Sequence, residues 1–304
     1  MLPLFAAVAV LLVFFQLWVP NGQFLKPENL IDLAQQISVN AMLAFGMTLV
    51  ILIGGIDLSV GAVVALTGTV AAASLPHGGA AAGIFAALAV AVLIGAVNGL
   101  CAARTRMPPF IITLAMMLVA RGAALRFNEG RPLPIPTSES LFLALGNARV
   151  GGWLPVPVLL MVAAFAFTGV LLHRTRFGQH LYAIGGNREA ARFTGIHLAR
   201  HEVMVYVLCA VLAGLAGMIH ASQLYSAEPS SGQGFELNAI AAVVVGGTSF
   251  TGGIGTMPGT LIGAVIIGIL DKGLNQVGVH FSLQYIIKGL VILAAVYLDV
   301  RRRK

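Results

Sequence analysis

Two long apolar runs, "AMLAFGMTLVILI" at 41–53 and "AVVALTGTVAAA" at 62–73, flank the stretch "GGIDLSVG" at 54–61. Each run suits a helix in lipid, yet the eight residues between them include three glycines, an aspartate and a serine. Glycine at such a place lets backbones approach closely or lets a helix break. A broken helix exposes N–H groups without partners, and Asp57 and Ser59 are residue types that cap them. An ionised acid at the bilayer centre costs about 3 kcal/mol on insertion scales. Asp57 is therefore capped, paired or close to an interface. The stretch reads as structural: Gly54, Gly55, Asp57, Ser59 and Gly61 end one span and begin the next, with Asp57 and Ser59 as N-caps. Direct contact with a cargo and a cation site are the alternatives, and no second carboxylate stands nearby to complete the latter.

The rest of the chain agrees with that membrane reading. Its 304 residues are 58% apolar and 10% charged, with mean hydropathy +0.93. Soluble domains carry about 25% charged residues, so this chain reads as an all-α polytopic membrane protein. The opening "MLPLFAAVAVLLVFFQLWVP" has no basic start and no small-residue cleavage site. It reads as a first span rather than a signal peptide. Cys101 and Cys209 fall in apolar helices at no metal spacing and read as core residues. The net charge of +7 is accounted for by membrane orientation and does not indicate nucleic acid.

A spanning helix needs about 20 apolar residues. Ten stretches qualify: 2–20, 34–53, 59–75, 80–103, 108–127, 153–173, 202–222, 236–249, 257–274 and 282–300. Lysine and arginine favour cytoplasmic loops. With the N-terminus inside, eleven basic residues face the cytoplasm: Arg104 and Arg106, five arginines between Arg174 and Arg200, and the tail Arg301–Lys304. The outer loops then hold five, diluted by seven acids. Both termini are therefore expected in the cytoplasm, in one transmembrane domain over 1–304. Ten spans divide into five plus five, a plan that permits an inverted repeat. A second glycine-rich break, "GGTSFTGGIGTMPGT" at 246–260, carries Gly246, Gly247, Gly252 and Gly253 and no charge. It reads as a tight re-entrant turn, with a gate or partner contact as the alternative.

One loop is longer and more basic than the others. In "HRTRFGQHLYAIGGNREAARFTGIHLARH" at 173–201, Gly185 and Gly186 signal a turn and Asn187 an N-cap. "REAARF" follows as a short helix with Glu189 in its first turn, where the helix dipole favours an acid. Gly195 ends it. The element is either a solvated loop among lipid headgroups or a docking piece for a soluble partner.

"EAARFTG", Glu189 to Gly195, resembles the cytoplasmic EAA-xxx-G signature of permeases of ATP-binding-cassette importers. The Ile-x-Leu-Pro that usually follows the glycine is absent, as in the ribose-type subgroup of sugar permeases. "GGIDLSVG", "PPFIITLAMMLVARG" (108–122), "RTRFGQHLYAIGGN" (174–187) and "FELNAIAAVVVGGTSFTGGIGTMPGTLIGAVIIGIL" (235–270) are also similar to that subgroup. The resemblance runs along nearly the whole chain. It implies a multi-pass subunit of the bacterial inner membrane, paired with a second permease copy or paralogue. It implies an ATPase below, which uses the ATP, and a periplasmic sugar-binding protein above. It also implies that Gly185, Gly186, Asn187, Glu189, Ala190, Ala191 and Gly195 form the element seated on the ATPase.

A neutral sugar needs scattered amides, hydroxyls and aromatics along its path rather than fixed charges. Asn40, Asn98, Thr113, Asn238 and Asn275 are the intramembrane polar candidates, though each also suits interhelical bonding. Phe110 and Phe127 are aromatic candidates. Arg121 lies about one turn from the outer end of its span and can snorkel; Lys288 can pair with Asp271. The chain has no Gly-x-x-x-x-Gly-Lys-[Ser/Thr] segment, no histidine spacing for a metal and no nucleophile triad. It is expected to bind no cofactor and to be no enzyme. Rival readings are an ion-coupled transporter of a small polar solute, which needs paired carboxylates in the membrane, and a channel, which needs repeated pore segments.

Overall fold

The computed structural model describes residues 1–301. Of the basic tail assigned to the cytoplasm, Arg302, Arg303 and Lys304 lie outside the described residues, as do the side chains at 295–296 and 298–301. Proline and glycine punctuate the helices. α1 (Leu2–Trp18) stops before a single tight turn at Pro20–Gly22, and α2 (Pro27–Leu52) starts on a proline whose missing N–H costs nothing there. α3 (Val60–Arg104) follows, interrupted at Gly78 and Gly79. Gly79 has φ 62° and ψ −160°, a combination open essentially to glycine alone. There the chain folds back on itself. A Cβ on Gly83 would touch Leu75 and Ala71, and Asn98 reaches Ser59. The spans read at 59–75 and 80–103 are thus the two limbs of one helical hairpin.

α4 (Pro109–Arg126), α5 (Ser140–Asn147), α6 (Val156–Arg174), α7 (Arg176–Gly186), α8 (Arg188–Phe193), α9 (Leu198–Gln223), α10 (Phe235–Val245), α11 (Met257–Gln276) and α12 (Phe281–Arg301) complete the helices. Two small antiparallel ribbons tie the connections: β1 (Leu133–Pro134) with β4 (Ser226–Ala227), and β2 (Arg149–Val150) with β3 (Leu154–Pro155). Among the described residues, six helices are long and apolar enough to cross a membrane: α2, α3, α4, α6, α9 and α11. α1, α10 and the stretch Phe281–Ala294 are shorter apolar helices. The protein is a helical, polytopic membrane protein.

Small residues let the central helices meet. α2 is buried at every position from Ala41 to Leu52, so it is a core helix with no lipid face there. α9 lies against it and between the limbs of α3. A Cβ on Gly46 of α2 would come within 2.8 Å of the Cys209 backbone. A Cβ on Gly99 of α3 would come within 2.6 Å of the Val203 Cα. Such contacts replace a hydrophobic driving force that lipid cannot supply between helices. Cys209 is buried in this core and Cys101 is partly exposed; both are free thiols.

The break at 54–61 shows how the chain interrupts a helix without leaving polar backbone unpaired. Gly54, at φ 79°, ends α2. Its N–H donates to Ile51 O at 2.9 Å and the Gly55 N–H donates to Val50 O at 3.0 Å, a Schellman closure. Asp57 Oδ1 then accepts from the Ser59 N–H at 2.9 Å and the Ser59 hydroxyl at 2.6 Å. Asp57 thus accepts from the residue that precedes α3 rather than from a first-turn N–H, and the Ser59 side chain caps no helix N–H either. Ser59 instead links Asp57 to Asn98, whose Nδ2 donates to Ser59 Oγ at 3.1 Å. From α4, the Thr113 hydroxyl donates to Ile56 O at 3.0 Å and accepts from the Leu58 N–H at 3.1 Å. All four side chains are buried.

This geometry separates shape from charge at Asp57. Asp57→Asn keeps the accepting oxygen and should leave the thermal midpoint of the detergent-solubilised protein within a few degrees. Asp57→Leu strands the buried Ser59 N–H and hydroxyl, at about 1–3 kcal/mol for each group left unpaired. Its midpoint and membrane level should fall clearly. Equal loss in both variants would show that the charge itself is required.

Candidate functional site

The two glycine breaks meet, and α7 is seated where they do. The Gly253 N–H donates to Leu52 O at 2.9 Å, joining the second break to the end of α2. A Cβ on Gly185 of α7 would collide with both Leu52 O and the Gly253 nitrogen. A Cβ on Gly252 would lie 2.9 Å from Leu52 O and 3.1 Å from the Gly185 Cα. The Tyr182 hydroxyl adds a bond to Gly255 O at 2.7 Å. Gly185 and Gly186 were read as a turn but are the last two residues of α7, and the missing side chain of Gly185 admits the end of α2 and the backbone of the second break. Gly247, Gly252 and Gly253 hold φ between 73° and 91°. Gly246 packs on the Gly259 backbone. On the far side of the first break, a Cβ on Gly61 would collide with Gly232 O and the Glu236 carboxylate. Gly61 is thus the point where the segment before α10 touches α3.

α8 has the form read from the sequence. Asn187 Oδ1 accepts from the Ala190 N–H at 2.9 Å, and Gly195 closes the helix at φ 86°. Gly195 and Ile196 donate to Arg192 O and Ala191 O, a second Schellman closure. Ala191 is buried; Gly186, Glu189, Ala190 and Arg192 are exposed, and Phe193 stands 87% exposed. Arg188 makes an ion pair with Glu202 on α9. Glu202 is buried, and one turn further along α9 the buried Tyr206 hydroxyl lies against Gly55. A cavity of about 360 Å³ opens here, with Gly54, Gly55, Arg106, Arg188, Glu202 and Tyr206 in its wall. Glu202 and Tyr206 escaped the sequence reading. An acid at the start of an apolar span, fourteen residues after Arg188, was the available signal.

A larger cavity, about 560 Å³, lies at the opposite ends of α2 and α9. Asn40 and Asn238 line it, together with Gln35, Gln36, Gln233 and His220. Phe235 and Tyr285 add aromatic faces. Asp271 and Lys288 sit in its wall as an ion pair at 2.8 Å, and Asn238 Nδ2 donates weakly to Asp271 Oδ2 at 3.5 Å. The glutamines at 35 and 36 had a readable signal: Gln36 and Asn40 are four residues apart on one helix face.

The other polar candidates lie elsewhere. Asn98 and Thr113 hold the first break, and Asn275 is exposed at the end of α11. Phe110 and Phe127 are about half exposed and line neither cavity. Arg121 does not reach for the surface. Its Nη1 donates to Pro229 O at 2.7 Å and Ser231 O at 2.6 Å, fastening the loop that leads into α10. Among the described residues no three metal-ligating side chains gather.

Comparison with known proteins follows this geometry. No solved structure matches the chain. It is 46% identical over 300 residues to the Ribose import permease protein RbsC of Escherichia coli strain K12, covering 98% of this chain and 92% of that one. The protein of the same name in Bacillus subtilis strain 168 is 45% identical over 290 residues, with 93% and 88% covered. The Xylose transport system permease protein XylH of Escherichia coli strain K12 is 33% identical over 359 aligned positions, with 97% and 90% covered. Residues 29–296 match the family model described as branched-chain amino acid transport system / permease component. The chain belongs to that family of transport-system permeases.

Proposed function

We propose that this chain is the membrane permease subunit of an ATP-driven importer that carries a monosaccharide, ribose or a related sugar, delivered by a periplasmic binding protein. The observation that carries this reading is the end-to-end similarity to ribose import permeases. The polar cavity supports it. Its amides, paired charges and two aromatic rings suit a neutral, hydroxyl-rich solute. Ten spans in a bacterial inner membrane with both termini cytoplasmic fit the basic bias of the loops, the two limbs of α3 counting separately. ATP hydrolysis belongs to a partner subunit, and a second permease, identical or paralogous, completes the passage.

Coupling in this scheme runs through α7 and α8. An ATPase bound to the exposed face of α8 pulls on Arg188 and so on Glu202 at the start of α9. The same motion shifts Gly185, which touches both breaks. The two attachments differ in kind. One is a charged link to a core helix, and the other is a backbone contact with no side chain to absorb displacement.

The decisive test uses proteoliposomes holding the permease, its ATPase and the sugar-loaded binding protein. Uptake should require ATP and the binding protein, and should ignore an imposed proton or sodium gradient. Uptake driven by such a gradient without ATP would replace the proposal with ion-coupled transport. In the same system, Asn238→Leu should cut sugar uptake roughly 2- to 10-fold, the worth of one hydrogen bond at about 0.5–1.5 kcal/mol. ATPase recovery with the permease should not change. Unaltered uptake would remove Asn238 from the path.

The link makes a separate forecast. Gly185→Val forces apart backbones that now touch, and Ala190→Trp fills the exposed face of α8. Both should lower transport and permease-stimulated ATP hydrolysis together. Co-purification of the ATPase should fail for Ala190→Trp but persist for Gly185→Val, whose fault lies behind the docking face. Normal membrane levels with full uptake in both variants would take α7 and α8 out of the coupling path.

A further inference from the structure

The end of the second α3 limb and the start of α9 diverge around a pocket that neither the proposed sugar path nor α8 uses. Deeper in the bundle the two helices touch through Gly95 and Gly99, which meet the backbone at Val207 and Val203. Past Gly99 the facing side chains are larger and a gap of about 330 Å³ opens. Leu100, Ala103, Val203 and Met204 make it apolar, and Arg104 and Arg200 stand at its rim. Both arginines are exposed, and neither takes part in the ion pairs found among the described residues. The nearest acid along α9, Glu202, is buried and held by Arg188.

A strip of exposed apolar side chains leads away from the pocket along α3. Leu93, Val97 and Leu100 are 63%, 37% and 40% exposed and lie on one helix face, with Arg104 next on that face. The arrangement is two unpaired guanidinium groups above an apolar slot that continues onto a lipid-facing stripe. A guanidinium fork matches phosphate oxygens in pairs. Basic pockets between transmembrane helices accept anionic lipid headgroups.

We propose that this pocket binds the phosphate of an anionic phospholipid, with Arg104 and Arg200 as the grip and an acyl chain along Leu100, Val97 and Leu93. A free phosphate ion would satisfy the arginines but leave the slot and stripe uncovered, so the committed occupant is the lipid. The proposal rests on the membrane-spanning reading, and its lipid titration needs neither cargo nor partner subunit.

The full-length permease in neutral detergent is titrated with mixed micelles of phosphatidylglycerol or phosphatidylcholine. Retained lipid is counted by native mass spectrometry and the thermal midpoint is followed in parallel. The wild type should keep phosphatidylglycerol in preference to phosphatidylcholine and melt at a higher temperature with it. The Arg104→Gln/Arg200→Gln variant should melt normally in phosphatidylcholine but bind phosphatidylglycerol at least about tenfold more weakly, since two charge-assisted contacts are lost. The Arg104→Lys/Arg200→Lys variant should keep part of the preference, because charge remains while the fork is lost. Arg174→Gln/Arg176→Gln should keep it all. Three results would each overturn the site: no headgroup preference in the wild type, a preference that survives loss of both arginines, or an equal midpoint shift from inorganic phosphate. Loss of ATPase co-purification with intact lipid preference in the glutamine variant would assign the arginines to a protein partner instead.

Discussion

Inside a bilayer every backbone N–H and C=O must find a partner within the protein, and this chain interrupts its helical bundle with two glycine-rich breaks. The rest of the architecture follows from how those interruptions are closed. At the first break, Gly54 and Gly55 return their N–H groups to the end of α2, and the end of α2 in turn accepts from Gly253. Asp57, Ser59, Asn98 and Thr113 then close the start of α3 with buried hydrogen bonds from three elements. Two breaks that are far apart in sequence therefore complete each other.

That mutual closure explains why so many of the critical positions are glycine. Polar side chains can satisfy a broken helix, but each adds volume and freedom. At Gly185 backbone atoms of two segments, the end of α2 and the second break, already occupy the place of a side chain. Such a contact transmits displacement directly, since no rotamer intervenes. A proposed input at α8 reaches the breaks by this route and α9 by the Arg188–Glu202 pair. On that proposal, close backbone packing and a charged tie serve one motion from two sides.

Much of this was legible in the sequence where the signal was local. Hydrophobic runs fell on helices. Asn187 and Gly195 marked the ends of α8 because capping is written in one or two residues. "GGIDLSVG" announced a capped break through its composition alone. What stayed hidden depends on which segments become neighbours. The sequence suggested a turn at Gly185 and Gly186, but not that both belong to the end of α7 or that Gly185 faces Leu52 and Gly253. Asn98 and Thr113 had the chemistry of a sugar path and were drawn instead to Ser59 and Ile56 by the fold of α3 and α4. Arg121 looked able to reach the surface along its own helix, yet the loop at 229–231 offers two carbonyls closer by. The tight reversal at Gly78 and Gly79 joined two spans so closely that they form one hairpin element.

On the proposed reading the polar cavity poses a physical question: how a passage can be polar and charged without trapping what crosses it. Asp271 and Lys288 answer one half, since each largely cancels the field of the other at 2.8 Å. A neutral cargo then meets dipoles and paired charges rather than a net attraction. Asn40, Asn238 and the glutamines answer the other half. An amide both donates and accepts, so it can exchange one hydroxyl for the next with little change in energy. On the proposed reading tight recognition resides in a separate binding protein, and the permease gains by holding its cargo weakly. A cavity of many equivalent, modest hydrogen bonds around a neutralised ion pair meets that requirement better than a few strong contacts.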